Sequence, residues 1–202
     1  MKTNTVITYT ASELKEQHPD AFERALEHYR AHLEPGWTEE TFDSLKAVCK
    51  ASDVTLRDWD LGAYNRSNRI RISFPHDDCE ELSGKRAIAW LENHLFGPLR
   101  LSFTARNRWE LAKYNRGMSE RFYMAGRVRP CPLTGYCADE DYLDALRKEV
   151  RHGSTLKEAF ESLADVYARL IEAEYEAAAE EEYFIEHAEA NEWQFTEDGD
   201  LF

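Results

Sequence analysis

Four side chains in the middle of the chain are of the types that hold metals: His76, Cys79, Cys131 and Cys137. Imidazole and thiolate are the usual zinc ligands. Their spacing fits that chemistry poorly, because Pro-Leu-Thr-Gly-Tyr separates Cys131 from Cys137 and zinc knuckles use a shorter gap. Ordinary free thiols are the preferred reading, with no metal and no cofactor, and the four residues stand as the alternative ligand set. Cys49 falls in a helical pattern and reads as a small core hydrophobe. His28 and His32 are four apart on a helical face, as metal-binding pairs are, but no H-E-x-x-H pattern accompanies them and surface histidines are expected. The chain has no G-x-S-x-G elbow, Walker loop or G-x-G-x-x-G turn. Carboxylate pairs are so numerous that none stands out as an acid–base couple. The expectation is a protein that is not an enzyme.

Charge is distributed more informatively than any catalytic type. No Lys or Arg follows Arg169, while nine Glu lie between Glu172 and Glu192, followed by Glu197, Asp198 and Asp200. Those twelve carboxylates account for most of the formal net charge of -14, and residues 1–169 carry 25 basic against 27 acidic side chains. A field this localised bears on partners or on docking. The candidate partner-binding face is Glu172, Glu176, Glu180, Glu181, Glu186 and Glu189. A fixed array of carboxylates can compete with phosphates for a basic groove, giving steered association that weakens with salt.

The counterweight is basic. Between Gly97 and Pro130 stand eight Lys or Arg against only Glu110 and Glu120, with aromatics interleaved. Arginines with exposed aromatics bind single-stranded nucleic acid through phosphate contacts and base stacking. Arg100, Arg106, Arg108, Trp109, Arg121 and Arg127 are therefore the alternative surface, for a nucleic-acid-binding module. The overall negative charge argues against phosphate binding, and these arginines could instead meet the protein's own carboxylates or those of a second copy.

The elements that must position these groups follow from local rules. Thr10-Ala11-Ser12-Glu13 is a capping box opening a short helix that stops or kinks near His18, since Pro19 disfavours helical geometry before it. Pro19 suits the first turn of a second helix carrying Phe22, Leu26, Tyr29 and Leu33, and Thr38 caps a third with Phe42, Leu45 and Val48. Arg69 to Phe74 alternates polar and apolar as a half-buried strand does. Lys85 to Phe96 reads as helix, Leu99 to Phe103 as a second strand, Phe122 to Val128 as a third, and Tyr142 to Val150 as a helix ending at Gly153. Ser154 is expected to cap one long amphipathic helix whose apolar stripe continues to Phe184 or Ile185, with Glu172, Glu176 and Glu180 facing water. Trp193 to Phe202 reads as a terminal hairpin about an Asp-Gly turn.

The expected class is α+β: an antiparallel sheet of three to four strands with helices packed around it. A single domain over 1–202 would hold a helical part at 10–51, a strand and helix middle at 54–130, a helical part at 139–190 and the hairpin at 193–202. With 43% hydrophobic and 12% aromatic residues, the chain can bury a core. No apolar run is long enough to span a bilayer, and the opening lacks the apolar region of a signal peptide, so no membrane partner and a cytoplasmic location are expected.

Two stretches carry a resemblance. Tyr9-Thr10-Ala11-Ser12-Glu13-Leu14, running into Ala25-Leu26-Glu27-His28-Tyr29-Arg30, and the ending Ala190-Asn191-Glu192-Trp193-Gln194-Phe195-Thr196-Glu197-Asp198-Gly199, are similar to an uncharacterised family of small tailed-phage proteins. The likeness covers roughly the first 60 and last 40 residues and departs at Gly62-Ala63-Tyr64-Asn65-Arg66-Ser67. It implies a phage or prophage gene expressed in a bacterial host cell, and brings no catalytic residues. Together with the acidic face it leads to the expectation of a non-enzymatic accessory protein that binds a host protein or protein–nucleic-acid complex. An inhibitor of a nucleic-acid-handling or defence complex, anti-CRISPR action included, is its most concrete form. Homo-oligomers are compatible with the pattern.

Overall fold

A computed structural model describes residues 7–34, 36, 38–62, 67–99, 101, 103 and 131–202. The chain divides into two compact units: Met1–Gly36 with Ala173–Phe202, and Trp37–Glu172. The architecture is α+β, and among the described residues the named strands form one two-stranded antiparallel sheet.

In the first unit, α1 (Ala11–Gln17) starts at the expected box: Glu13 N–H donates to Thr10 Oγ1 at 3.2 Å and Thr10 N–H to the Glu13 carboxylate at 2.9 Å. His18 ends it, and Pro19 opens α2 (Pro19–Ala31) in the first turn, where its missing N–H has no cost. The C-terminal part contributes α8 (Glu181–Ala190). Leu14, Phe22, Leu26, Phe184, Ala188 and Phe195 form one buried cluster, with Tyr9, Tyr29, Ile185 and Trp193 packed at its margin. The terminal hairpin is present as a bridge between Phe195 and Leu201, turned by Gly199 at φ +90°. Tyr9 bridges the other side of Phe195.

The larger unit begins with α3 (Thr38–Ala51), then β1 (Thr55–Asp60) and β2 (Arg69–Ser73), paired from Thr55↔Ser73 to Asp60↔Arg69. A bulge falls between Leu56 and Asp58, and the Arg57 guanidinium there donates to Ser73 Oγ at 2.8 Å. Ile70 and Ile72 alternate inward on β2, whereas β1 is mostly exposed. The predicted Lys85–Phe96 helix is α4 (Gly84–Leu91) continued by a π-helical turn, Glu92–Phe96. Gly97 follows because a Cβ there would sit 2.6 Å from the Glu92 carbonyl oxygen. α5 (Ala138–His152) ends, as expected, at left-handed Gly153. Phe74, Trp90 and Phe160 meet edge to face in the core, with centroids 5.7–6.4 Å apart.

The described residues depart from two expectations. Leu99, Leu101 and Phe103 are not in a strand: Leu99 N–H donates to Leu95 O, Leu101 N–H to Phe96 O, and Phe103 N–H to the Glu92 carboxylate at 2.7 Å. Those donors are taken up by the preceding turn, so the alternation of apolar residues has no ladder to serve. Among the described residues the sheet has two of the three to four strands expected, and the Phe122–Val128 segment lies outside the described residues. The long C-terminal helix is also broken. Thr155, rather than Ser154, caps α6 (Leu156–Glu161), α7 (Leu163–Ala178) follows, and extended Glu180 separates it from α8.

Candidate functional site

The division of charge follows the division of the fold. Residues 1–36 and 173–202 hold 4 basic and 17 acidic side chains, against 21 basic and 22 acidic in 37–172. The smaller unit therefore carries nearly all the net charge. Its described cations are all committed internally. Lys15 pairs with Glu181, which raises the lysine pKa first through the side-chain hydrogen bond and then through the charge. The Arg24 guanidinium donates twice to the Asp198 carbonyl, at 2.9 and 3.2 Å. The Arg30 guanidinium donates to the Ala179 carbonyl at 2.9 Å, where a cation at a helix C-terminus is favoured. Each of the three ties the N-terminal helices to the C-terminal segment of the same unit.

Five of the six predicted acidic residues lie in the smaller unit, in differing surroundings. Glu176 and Glu186 are exposed, on α7 and α8. Glu180 is exposed in the break between those helices, with φ -66° and ψ 145°. Glu181 is the partner of Lys15, and Glu189 accepts from Ser12 Oγ at 2.5 Å, so both turn toward α1. Glu172 is half-buried and falls in the larger unit. The outward group is thus Glu176, Glu180, Glu182 and Glu186 with the carboxylates of the terminal turn.

Sequence reasoning missed an aromatic group beside them. Tyr183 and His187, four apart on α8, stack with rings 12° from parallel and centroids 5.9 Å apart. Trp193 meets His187 edge-on at 5.2 Å, and Tyr29 from α2 lies 6.0 Å from His187 and 6.3 Å from Trp193. Phe184 lies beneath, 5.0 Å from Tyr29. Burial, then the neighbouring Tyr183, pushes the Tyr29 hydroxyl pKa upward. Tyr183 keeps 38% of its surface exposed. The i, i+4 spacing of Tyr183 and His187 was the available signal; the packing of Tyr29 against them was not.

The metal alternative is not assembled. Among the described residues no group of three or more His, Cys, Asp or Glu is placed to hold an ion. Cys79 is buried, Cys131 half-buried and Cys137 exposed, all as free thiols. Cys49 is buried as expected, and burial pushes its pKa up to about 12. His28 and His32 sit exposed with rings 4.3 Å apart, and His32 Nδ1 contacts the His28 carbonyl at 2.8 Å. Arg100, Arg106, Arg108, Trp109, Arg121 and Arg127 lie outside the described residues.

A buried carboxylate in the larger unit was also missed, and its role is architectural. Asp139 accepts from the N–H groups of Leu133, Thr134 and Gly135 and from the Thr134 hydroxyl, at 2.8–3.3 Å. Ser44 joins through Thr134 Oγ1 at 2.9 Å. This network holds the Cys131–Cys137 loop on the first turn of α5. No described helix is long and apolar enough to cross a membrane. No family model, curated protein or solved structure matches the chain.

Proposed function

We propose that the protein is a non-enzymatic binding protein whose smaller unit docks on a basic surface of a host macromolecule. The observation that carries this reading is the charge division: 4 basic and 17 acidic side chains in that unit, with its described cations consumed by internal bonds. A surface so charged draws a basic partner from a distance and repels acidic ones. Such an array mimics the phosphates that a nucleic-acid-handling complex is built to hold. With the resemblance at the two chain ends, the reading becomes a phage accessory protein acting in the host cytoplasm, and a defence complex of the CRISPR type is the target class of choice.

The test is a combined Glu176→Lys, Glu180→Lys and Glu186→Lys variant, compared with the native chain as bait in host extract over a salt series. Loss of the same bound protein, with an unchanged circular dichroism spectrum, is the expected result. Equal capture by both baits would remove the electrostatic reading. Short single-stranded and duplex oligonucleotides run in parallel address the segment 97–130, and tight low-salt binding to them would favour a nucleic-acid module instead.

A further inference from the structure

We infer that the Tyr183–His187 stack is a shelf for an arginine side chain of the basic partner. The inference rests on the docking reading above and specifies which cation that docking selects.

Geometry comes first. Tyr183 and His187 stack with nearly parallel rings on one side of α8, and Trp193 and Tyr29 brace His187 at 5.2 and 6.0 Å, so the ring of Tyr183 is the outer member of the stack. The braced ring cannot easily turn away, while Tyr183 leaves 38% of its surface to solvent. An exposed aromatic face held rigid by other rings offers a flat contact at little entropic cost. Helical spacing puts Glu186 on α8 three residues after Tyr183, and Glu180 caps the start of the same helix three residues before it. Both carboxylates are exposed. A cation drawn by them arrives over the ring.

The chain itself shows what covers such rings when a cation is at hand. In the larger unit the Arg147 guanidinium lies 4.4 Å from the Phe96 centroid, the Lys46 ammonium 4.8 Å from that of Phe42, and Arg151 5.3 Å from that of Phe103. In the smaller unit the described cations are held by Glu181 and by the carbonyls of Asp198 and Ala179, and none of them lies over Tyr183. Charge complementarity then assigns the occupant to the partner. Arginine suits the shelf better than lysine, because its planar and weakly hydrated guanidinium can stack on a ring while its N–H groups reach flanking carboxylates.

The experiment uses the full chain and two fluorescent peptides of equal length and charge, one built on arginine and one on lysine, with affinities read by anisotropy. The native protein should bind the arginine peptide about two- to fivefold more tightly than the lysine peptide. Tyr183→Ala and Tyr183→Leu should erase that preference while leaving a salt-dependent residue, and Tyr183→Phe should keep it. Equal affinity of the native protein for both peptides, or a preference that survives loss of the ring, overturns the shelf and leaves charge-driven docking standing. Binding of neither peptide overturns the docking reading, and the shelf with it. The Leu variant retains apolar cover over the core, and the native comparison decides the matter without any variant.

Discussion

Tyr9 and Phe195 exchange both backbone hydrogen bonds, N–H to carbonyl in each direction at 2.9 Å. The bridge joins opposite ends of the sequence and sets Phe195 into the core, 6.0 Å from Phe184. Leu201 pairs with the far side of Phe195, and Phe202 N–H donates to the Gln194 carbonyl at 2.8 Å. A single bridge cannot by itself offset the entropy of closing so long a loop. It holds because the same residues carry the apolar cluster of the smaller unit. The beginning and the end of the chain are therefore packed as one structural piece.

That piece depends on the turn at Gly199. Its φ is +90°, and an added Cβ would lie 2.3 Å from the Ala21 carbonyl oxygen at the start of α2. Alanine meets both a strained backbone and a backbone atom that cannot move without shifting α2. Gly199→Ala should cost about 1–3 kcal/mol from conformation alone, with the close contact adding to it. A urea midpoint followed by circular dichroism reads the loss. A midpoint equal to that of the native chain would show that the turn can re-form without α2.

Asp139 supports the larger unit in a different way. It is fully buried, and its two oxygens take three backbone N–H groups and one hydroxyl. Asp139→Ala would strand those donors in the protein interior, so the expected loss is about 2–4 kcal/mol. Amide exchange at Leu133, Thr134 and Gly135 should accelerate together. Retained protection at all three would mean that Asp139 is not what holds the Cys131–Cys137 loop.

These cases mark what the sequence exposes. The Thr10 box, Pro19, Gly153 and the Asp198–Gly199 turn are legible because each follows a rule acting over a few residues. The break at Glu180 is not, since the apolar stripe runs through it and nothing local forbids helix there; its stabiliser is Arg30, bound to the Ala179 carbonyl from a distant helix. Leu99–Phe103 looks like a strand because its alternation is real, yet the Glu92 carboxylate and the π turn claim the N–H groups of Leu99, Leu101 and Phe103. Acidity at the C-terminus was plain, but which carboxylates face outward depends on Lys15 and Ser12. The aromatic shelf needed Tyr29 from α2 to be seen at all.

Glu158 gives the fold a defined acid response. Its carboxylate accepts from Thr155 N–H at 2.8 Å and from Thr155 Oγ1 at 3.0 Å, the reciprocal half of the α6 capping box. The backbone bond first, and then the hydroxyl, hold its pKa below the ordinary glutamate value. The folded state thus binds this proton less readily than the unfolded chain does. The stabilisation is complete above the unfolded-state pKa and fades as the pH falls through the folded one. Glu158→Gln can keep part of the box but has no charge to lose. The difference in urea midpoint between native and variant should be largest near neutrality and shrink as the pH approaches about 3. A gap of constant size across that range would mean that the ionised carboxylate contributes nothing to the cap.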